Sequence, residues 1–321
     1  PSSTGYNDQG NTIAYFNSGE ISNQGWEYRI DYEVFKNKDW RVAANFNINR
    51  NINTIQALPE NMVATSYTLG NGRYAQKLES GTPVGSFYGF RYGGVYQNLE
   101  ETYARDEEGS IMTNLDGDPI VMKNGTYTCY PGDARYDDLN YDGIINEKDV
   151  IYLGNSMPMV TGGGGFNLKY KQLTFTTFFH YRLGQKIINQ TRMNSESMYK
   201  ADNQSKAVLR RWRNEGDDTT IPRALWNYGL NWLGSDRFVE DCSFLRLKTL
   251  SLSYDVPKAW CERVNTNSIN VFVTGYDLFT WTDYTGQDPE VSLPSRITDL
   301  AMDNAQTPRS KRFALGLTVN F

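Results

Sequence analysis

The chain has 321 residues, room for one to three domains, with a formal net charge of −5 and 39% hydrophobic residues. No apolar run approaches the roughly 18 residues of a spanning helix, so any membrane crossing falls to strands, and the absence of a basic patch excludes a nucleic-acid footprint. Aromatic residues make up 14% of the chain (22 Tyr, 15 Phe, 7 Trp), heavy for a soluble domain and suited to the girdles of a membrane barrel.

Residues 1–23 are rich in Ser, Gly and Asn, with one short strand expected at 12–16. No charged n-region with an apolar core is present, so no signal peptide is expected. Two strands follow, at 24–33 and 39–50. In the first, Trp26, Tyr28, Ile30, Tyr32 and Val34 alternate with Glu27, Arg29, Asp31 and Glu33; in the second, Trp40, Val42, Ala44, Phe46 and Ile48 alternate with Arg41, Asn45, Asn47 and Asn49. This is the period-two pattern of half-buried strands, with Asn37-Lys38 as the turn. Alternation over about 9–11 residues with aromatic ends is what a lipid-spanning strand requires. The charged parity then faces a lumen.

Residues 51–82 read as loop. GTPVGSFYGFRYGGVYQN (81–98) is dense in Gly and Tyr, with Tyr88, Phe90, Tyr92 and Tyr96 on one parity. The acidic stretch 101–136, punctuated by Asp116-Gly117 and Asn124-Gly125, reads as an excursion of short hairpins. Immediately after it, 138–149 lays out oxygen donors in the pattern of a twelve-residue calcium loop. Asp138, Asn140, Asp142, Asn146 and Asp149 supply side chains, Ile144 a backbone carbonyl, and Gly143 the sharp turn. The last position is Asp rather than Glu, as in dockerin-like loops. An acidic turn held by Asx bonds alone is the competing reading.

Gly162–Gly165 lead into expected strands at 166–170 and 173–181; Leu173, Phe175, Phe179 and Tyr181 share one parity and His180, the only histidine, lies among the polar set. A lone mid-strand histidine with no Gly-x-Ser-x-Gly elbow offers neither a zinc site nor a nucleophile's base. The stretch 189–237 is a second long connection with a short helix expected at 206–213. Strands return at 244–254, where the apolar parity slips between Leu247 and Leu250 as a bulge requires, and at 268–281. A polar loop, 283–307, precedes the terminal alternation of Phe313, Leu315, Leu317, Val319 and Phe321. Cys129, Cys242 and Cys261 cannot all pair within the chain; Cys242 and Cys261 are either free thiols or a bridge between neighbouring strands.

The terminal strand ending on Phe resembles the recognition signal of outer-membrane barrels. NSGEISNQGWEYRIDYEVF, GDARYDDLNYDGIINEKDVIYLGN, GGFNLKYKQLTFTTFFHYRLGQKIIN, VLRRWRNEGDDTTIPR, SFLRLKTLSLSYDVP and VFVTGYDLFTWTDYTGQDPEV are similar, in order, to segments of the SusC/RagA-type TonB-dependent transporters of Bacteroidetes-like bacteria. The resemblance implies an all-β fold, the C-terminal portion of a large antiparallel transmembrane β-barrel, about 22-stranded when complete, with long extracellular loops. It implies that the signal peptide, N-terminal extension, plug and early strands lie outside residues 1–321. It further implies a cell outer-membrane location in a Gram-negative bacterium, active import of an oligosaccharide or peptide rather than catalysis, a SusD-like surface lipoprotein as lid, and TonB as energy source through the absent N-terminal part. Candidate substrate-facing loop residues are Trp212, Trp226, Trp232, Trp281 and Tyr284, with girdle or loop packing as their alternative role. A secreted calcium-binding, glycan-active enzyme or binding module is the alternative function. It would explain the 138–149 loop and the aromatics, but not the long alternating strands.

Overall fold

The computed structural model describes residues 2–5, 14–17, 19–58, 69–75, 77–290 and 300–321. Seven long strands form one antiparallel sheet: β1 (Glu20–Lys36), β2 (Trp40–Ala57), β3 (Val160–Tyr170), β4 (Leu173–Leu183), β5 (Phe244–Asp255), β6 (Ser268–Trp281) and β7 (Arg312–Asn320). They neighbour one another in sequence order, β1 to β7, as in an up-and-down barrel wall, and the sheet does not close on itself. The strand expected at 12–16 overlaps a short pair, Ser2–Gly5 with Ala14–Asn17, away from this sheet.

Register carries the alternation across every strand. Ile30 stands opposite Phe46, Phe46 opposite Gly164, and Gly164 opposite Phe179. Further along, Phe175 faces Leu252, Leu252 faces Val273, and Val273 faces Leu315. Directly paired residues share a face, so Trp26, Tyr28, Ile30, Trp40, Val42, Phe46, Phe175, Phe179, Phe313, Leu315 and Leu317 all lie on one apolar face. Large apolar side chains there are bare: Leu315 is 81% exposed and Tyr28 61%. Arg29, Asn47, Lys169, His180, Arg246 and Arg312 occupy the opposite face. A sheet bare and apolar on one side and polar on the other is solvated by lipid on the first and water on the second.

β1 and β2 run 17 and 18 residues, longer than the alternating core of about 9–11 that the sequence suggests. The extra length of β2 stands above the last pairing with β3, Thr161 against Asn49, and is held by the loop before β3: Ile55 N–H donates to the Thr82 carbonyl at 3.0 Å and Gly81 N–H to the Ile55 carbonyl at 2.8 Å. The turn after β1 is an Asx turn, in which Asn37 Oδ1 accepts from the N–H groups of Asp39 and Trp40. The four glycines belong to β3 itself, which starts earlier than the strand expected at 166–170. A Cβ at Gly165 would fall 2.0 Å from the Thr177 carbonyl oxygen and one at Gly162 2.2 Å from that of Asn47, so the neighbouring backbones close in where side chains are missing. The bulge expected in β5 is present: against β4, Phe178 pairs with Thr249 and Phe179 with Leu247, leaving Lys248 as the extra residue.

The ends of the sheet are unequal. Short connections, 37–39, 171–172 and 256–267, lie at one end; the excursions 58–159, 184–243 and 282–311 all lie at the other. Barrels keep short turns on the periplasmic side and long loops outside, which orients the wall. Cys242 and Cys261 flank β5 at its opposite ends, roughly 40 Å apart for twelve extended residues, and all three cysteines are free and buried. The bridge between Cys242 and Cys261 is therefore excluded. Burial pushes the Cys129 and Cys242 thiols up to about 12.

Candidate functional site

The described parts of the three excursions fold into a single outer body. The first is built as nested hairpins, as its turn residues require: bridges link Tyr103 to Val121, Arg105 to Ile111 and Thr113 to Pro119, and Gly117 and Gly125 take the positive φ of the tight turns. It is stitched to the second excursion by bridges Asn71 to Leu233 and Phe90 to Ser235, and the second to the third by Ile188 to Met302. Phe87, Phe90, Tyr96, Ile188, Leu233 and Phe238 are fully buried. The core of the described residues thus sits in the outer body and not in the wall.

Buried ion pairs reinforce the seams. Asp133, fully buried, receives Arg223 Nε at 2.7 Å, the Tyr127 hydroxyl at 2.7 Å and Asn231 Nδ2 at 3.2 Å. Glu196 receives Arg192 at 3.0 Å and Arg237 at 2.8 Å. Glu240 receives Arg192 at 3.1 Å and the Thr285 N–H at 3.0 Å. Burial pushes the Glu240 carboxyl up, but Thr285 and Arg192 outweigh it and hold it below the usual range. This second network borders a polar cavity of about 310 Å3, lined by Asn189, Thr191, Arg192 and Glu196 of the second excursion and by Thr285, Gln287 and Asp303 of the third. Its size is that of a small-ligand pocket, and its fixed donors and acceptors suit a hydroxylated or amide-bearing guest.

On the water face of the wall, the segment after β6 folds back onto β5. Arg246 pairs with Asp288 and, at 2.9 Å, with Glu290. Lys248, the bulge residue, reaches Glu290 at 2.6 Å and Asp277 at 3.3 Å. Arg309 adds a contact to Glu290 at 3.1 Å. The bulge thus delivers a second cation to a carboxylate strap that Arg246 already anchors.

The sequence-derived candidates separate in the structure. The Trp212 ring lies on Gly132, where a Cβ would meet it at 2.2 Å, and Trp232 lies on Gly72; both indole rings are half-buried within the outer body. Trp226 is 63% exposed. Trp281 stands on the apolar face, stacked on Phe279 with centroids 6.2 Å apart, the position of a girdle residue. Tyr284 is buried, its hydroxyl 2.5 Å from Asp303 Oδ2, so its ring is closed to a guest in this conformation. His180 Nδ1 lies 2.9 Å from the Gly162 carbonyl oxygen. The residues around the polar cavity were not singled out from sequence, and no local motif marks them.

In 138–149 the donor types are those calcium requires, and Gly143 has the positive φ of the sharp turn. The carboxylates, however, bind the loop's own N–H groups. Asp138 accepts from Gly143 at 2.7 Å, Asp142 from Ile144 at 2.9 Å, and Asp149 from Leu139 at 2.9 Å and Asn146 at 2.8 Å. Among the described residues no three acidic, His or Cys side chains are gathered for a metal. Asp149 is buried at the end of a 3-10 turn, Glu147–Asp149, and caps it by accepting from the Asn146 N–H; burial first, and then its neighbours Asp138 and Asp142, push its carboxyl up.

No family model matches the chain. TonB-dependent receptor P3 of Formosa agariphila is 29% identical over 314 residues, covering 95% of this chain and 29% of the receptor. TonB-dependent receptor SusC of Bacteroides thetaiotaomicron is 24% identical over 316 residues, covering 95% and 27%. The RagAB peptide importer in its closed-closed state superimposes with a TM-score of 0.69 at 22% identity, over 96% of this chain and 30% of that one. The chain spans less than a third of the length of these relatives. It is similar to SusC/RagA-type TonB-dependent transporters along nearly its whole length, its fold is a partial antiparallel barrel wall with an outer body, and its location is the outer membrane.

Proposed function

We propose that residues 1–321 form barrel wall and outer loops of a SusC/RagA-type importer that takes up oligosaccharides or peptides, with the plug, the TonB-contacting segment and the earlier strands supplied by chain beyond this piece. The observation that carries the reading is the two-faced sheet, apolar toward lipid and charged toward the lumen, with all three long excursions knitted together at one end. A polar lumen of this kind leaks unless plugged, and an outer body of this size offers a floor on which a SusD-like lipoprotein lid can close. The polar cavity between the second and third excursions, and exposed Trp226 nearby in sequence, are the substrate-facing parts; the protein moves its cargo and does not transform it. To test this, the full-length gene is deleted and uptake of labelled oligosaccharide and peptide pools is followed. Loss of uptake of one pool, and its abolition in the wild type by a protonophore, is expected. Unchanged uptake, together with a full-length protein that is soluble in plain buffer and hydrolyses glycan, would replace the importer by the secreted module.

Within this reading, 138–149 takes up calcium as a structural brace between the strands Ala134–Tyr136 and Ile151–Asn155. The Asn140 and Asn146 amides can turn their oxygens inward by rotation about the terminal bond, and a divalent cation would draw in the Asp138, Asp142 and Asp149 carboxylates that otherwise accept from the loop's own N–H groups. Limited proteolysis with calcium or with chelator checks it, using wild type and Asp138→Ala/Asp142→Ala. Calcium-dependent protection of this loop in the wild type alone is expected; equal cleavage in all four samples rejects metal binding.

A further inference from the structure

A second cavity, of about 340 Å3, opens at the outer rim of the wall, between the projecting end of β2 and the residues that lead into β3. Arg50, Ile52, Tyr152, Met157, Met159 and Lys186 are among its walls. Register sets Arg50 opposite Trp26 and Ile52 opposite Gln24, so both side chains leave β2 on the face that carries Trp26, Tyr28 and Ile30. Ile52, Tyr152, Met157 and Met159 are exposed, which gives the cavity an apolar, adaptable lip at the level of the outer aromatic girdle.

Two cations are set into that lip. Arg50 Nε is buried and has no hydrogen-bond partner among the described residues. The Lys186 stem lies across Gly154, where a Cβ would come within 2.7 Å of it, so the lack of a side chain at Gly154 lets the lysine run along the wall of the cavity. Lys186 begins a short strand whose next two residues, Ile187 and Ile188, are fully buried; the backbone that presents the ammonium group is thereby fixed. A buried guanidinium N–H without an acceptor is costly, and the acceptor geometry that best satisfies guanidinium and ammonium together is a phosphate. The apolar lip requires a chain as well as an anion. A phosphate-bearing lipid of the outer leaflet supplies both, and Arg50 and Ile52 leave β2 on the lipid-facing side of the wall.

We propose that the cavity between β2 and the approach to β3 binds a phosphorylated lipid of the outer leaflet, with the phosphate held by Arg50 and Lys186 and an acyl chain lying over Ile52, Met157 and Met159. The site rests on the lipid-facing side of the wall and needs no assumption about cargo. The test uses the full-length transporter in phosphate-free dodecyl maltoside micelles supplied with lipid A or with dephosphorylated lipid A, with retained lipid counted by native mass spectrometry. The wild type should retain lipid A, and Arg50→Gln/Lys186→Gln should lose about a hundredfold in retention, about tenfold for each of the two charge-assisted contacts removed, with little retention of the dephosphorylated lipid by either. Heat-modifiable migration confirms that the variant barrel is folded; should it not be, Lys186→Gln alone, at an exposed position, carries the test with a smaller loss in the same direction. Equal retention by wild type and variant, equal retention of the dephosphorylated lipid, or displacement of lipid A by millimolar inorganic phosphate would overturn the proposal. Cargo uptake, measured in parallel, separates this outcome from failure of the import reading.

Discussion

The strap that follows β6 offers the sharpest energetic test. Arg246 has 3% of its side chain exposed and neutralises Asp288 and Glu290, themselves 11% and 9% exposed. Removing one partner of a buried pair costs about 3–5 kcal/mol, because the other charge is left behind. In Arg246→Met the loss is unequal. Glu290 keeps Lys248 at 2.6 Å and Arg309 at 3.1 Å, whereas Asp288 keeps only the N–H groups of Glu290 at 2.8 Å and Arg309 at 2.9 Å. The cost should therefore fall at the lower end, about 3 kcal/mol. Glu290→Gln, which leaves Lys248 its contact with Asp277, should cost about 1 kcal/mol. Hydrogen exchange over 283–290 in the full-length barrel reads this directly, with faster exchange in Arg246→Met while the centres of β3 and β4 stay protected. Burial pushes the Asp288 carboxyl up, but Arg246 and the backbone donors outweigh it and leave it below the usual range. A depressed carboxyl stabilises at neutral pH and loses that contribution as pH falls through the folded value, below the ordinary carboxylate range of about 4. Strap protection should accordingly be full at pH 7 and weaken only in strong acid. Identical exchange in wild type and Arg246→Met at pH 7 would refute the reasoning.

Other outcomes are equally specific. Val273→Arg, on the apolar face opposite Leu252 and Leu315, should destabilise the inserted barrel by about 2–4 kcal/mol at midplane depth, read as a lower urea midpoint, whereas Thr318→Arg, exposed on the polar face, should cost far less. Gly165→Val should impair assembly, since even a Cβ there meets the Thr177 carbonyl; heat-modifiable folded yield measures it. Cys129 and Cys242, buried with thiols raised to about 12, should resist iodoacetamide at pH 8 until the protein is denatured, and non-reducing electrophoresis should show no internal bridge.

The wall was legible because alternation is a local property. Trp26 to Val34 and Phe313 to Phe321 declare their faces without reference to any partner, and the slip between Leu247 and Leu250 announced the Lys248 bulge for the same reason. Glycines carry no side-chain period, so Gly162–Gly165 read only as the lead into a strand at 166–170, although Gly162, Gly163 and Gly164 pair on both sides and Gly165 pairs with Asn45. The outer body was hidden because its contacts are distant: Asn71 meets Leu233 and Phe90 meets Ser235, and nothing near either residue in sequence points to the other. The seven-residue helix Gln190–Glu196 is too short and polar to show a helical period, while the helix expected at 206–213 is a 3-10 turn, Lys206–Arg210. Trp281 and Tyr284 are three residues apart yet one meets lipid and the other is buried, because β6 ends between them. Composition identified them as aromatic; only the strand end decides their solvent.

The knitting of the three excursions also constrains how the protein is made. Neighbouring wall strands are consecutive in sequence, so hairpins can be laid down one after another. The outer body cannot follow that schedule. Its bridges join 71 to 233 and 188 to 302, so it stays incomplete until the segment between β6 and β7, the last of the three, has been carried across the membrane. Every earlier excursion must wait outside with apolar residues such as Phe87 and Ile188 uncovered. Closure of the cap is therefore a late event that reports correct registration of strands already inserted, and a wall assembled one residue out of step would present its excursions at heights where these bridges cannot form.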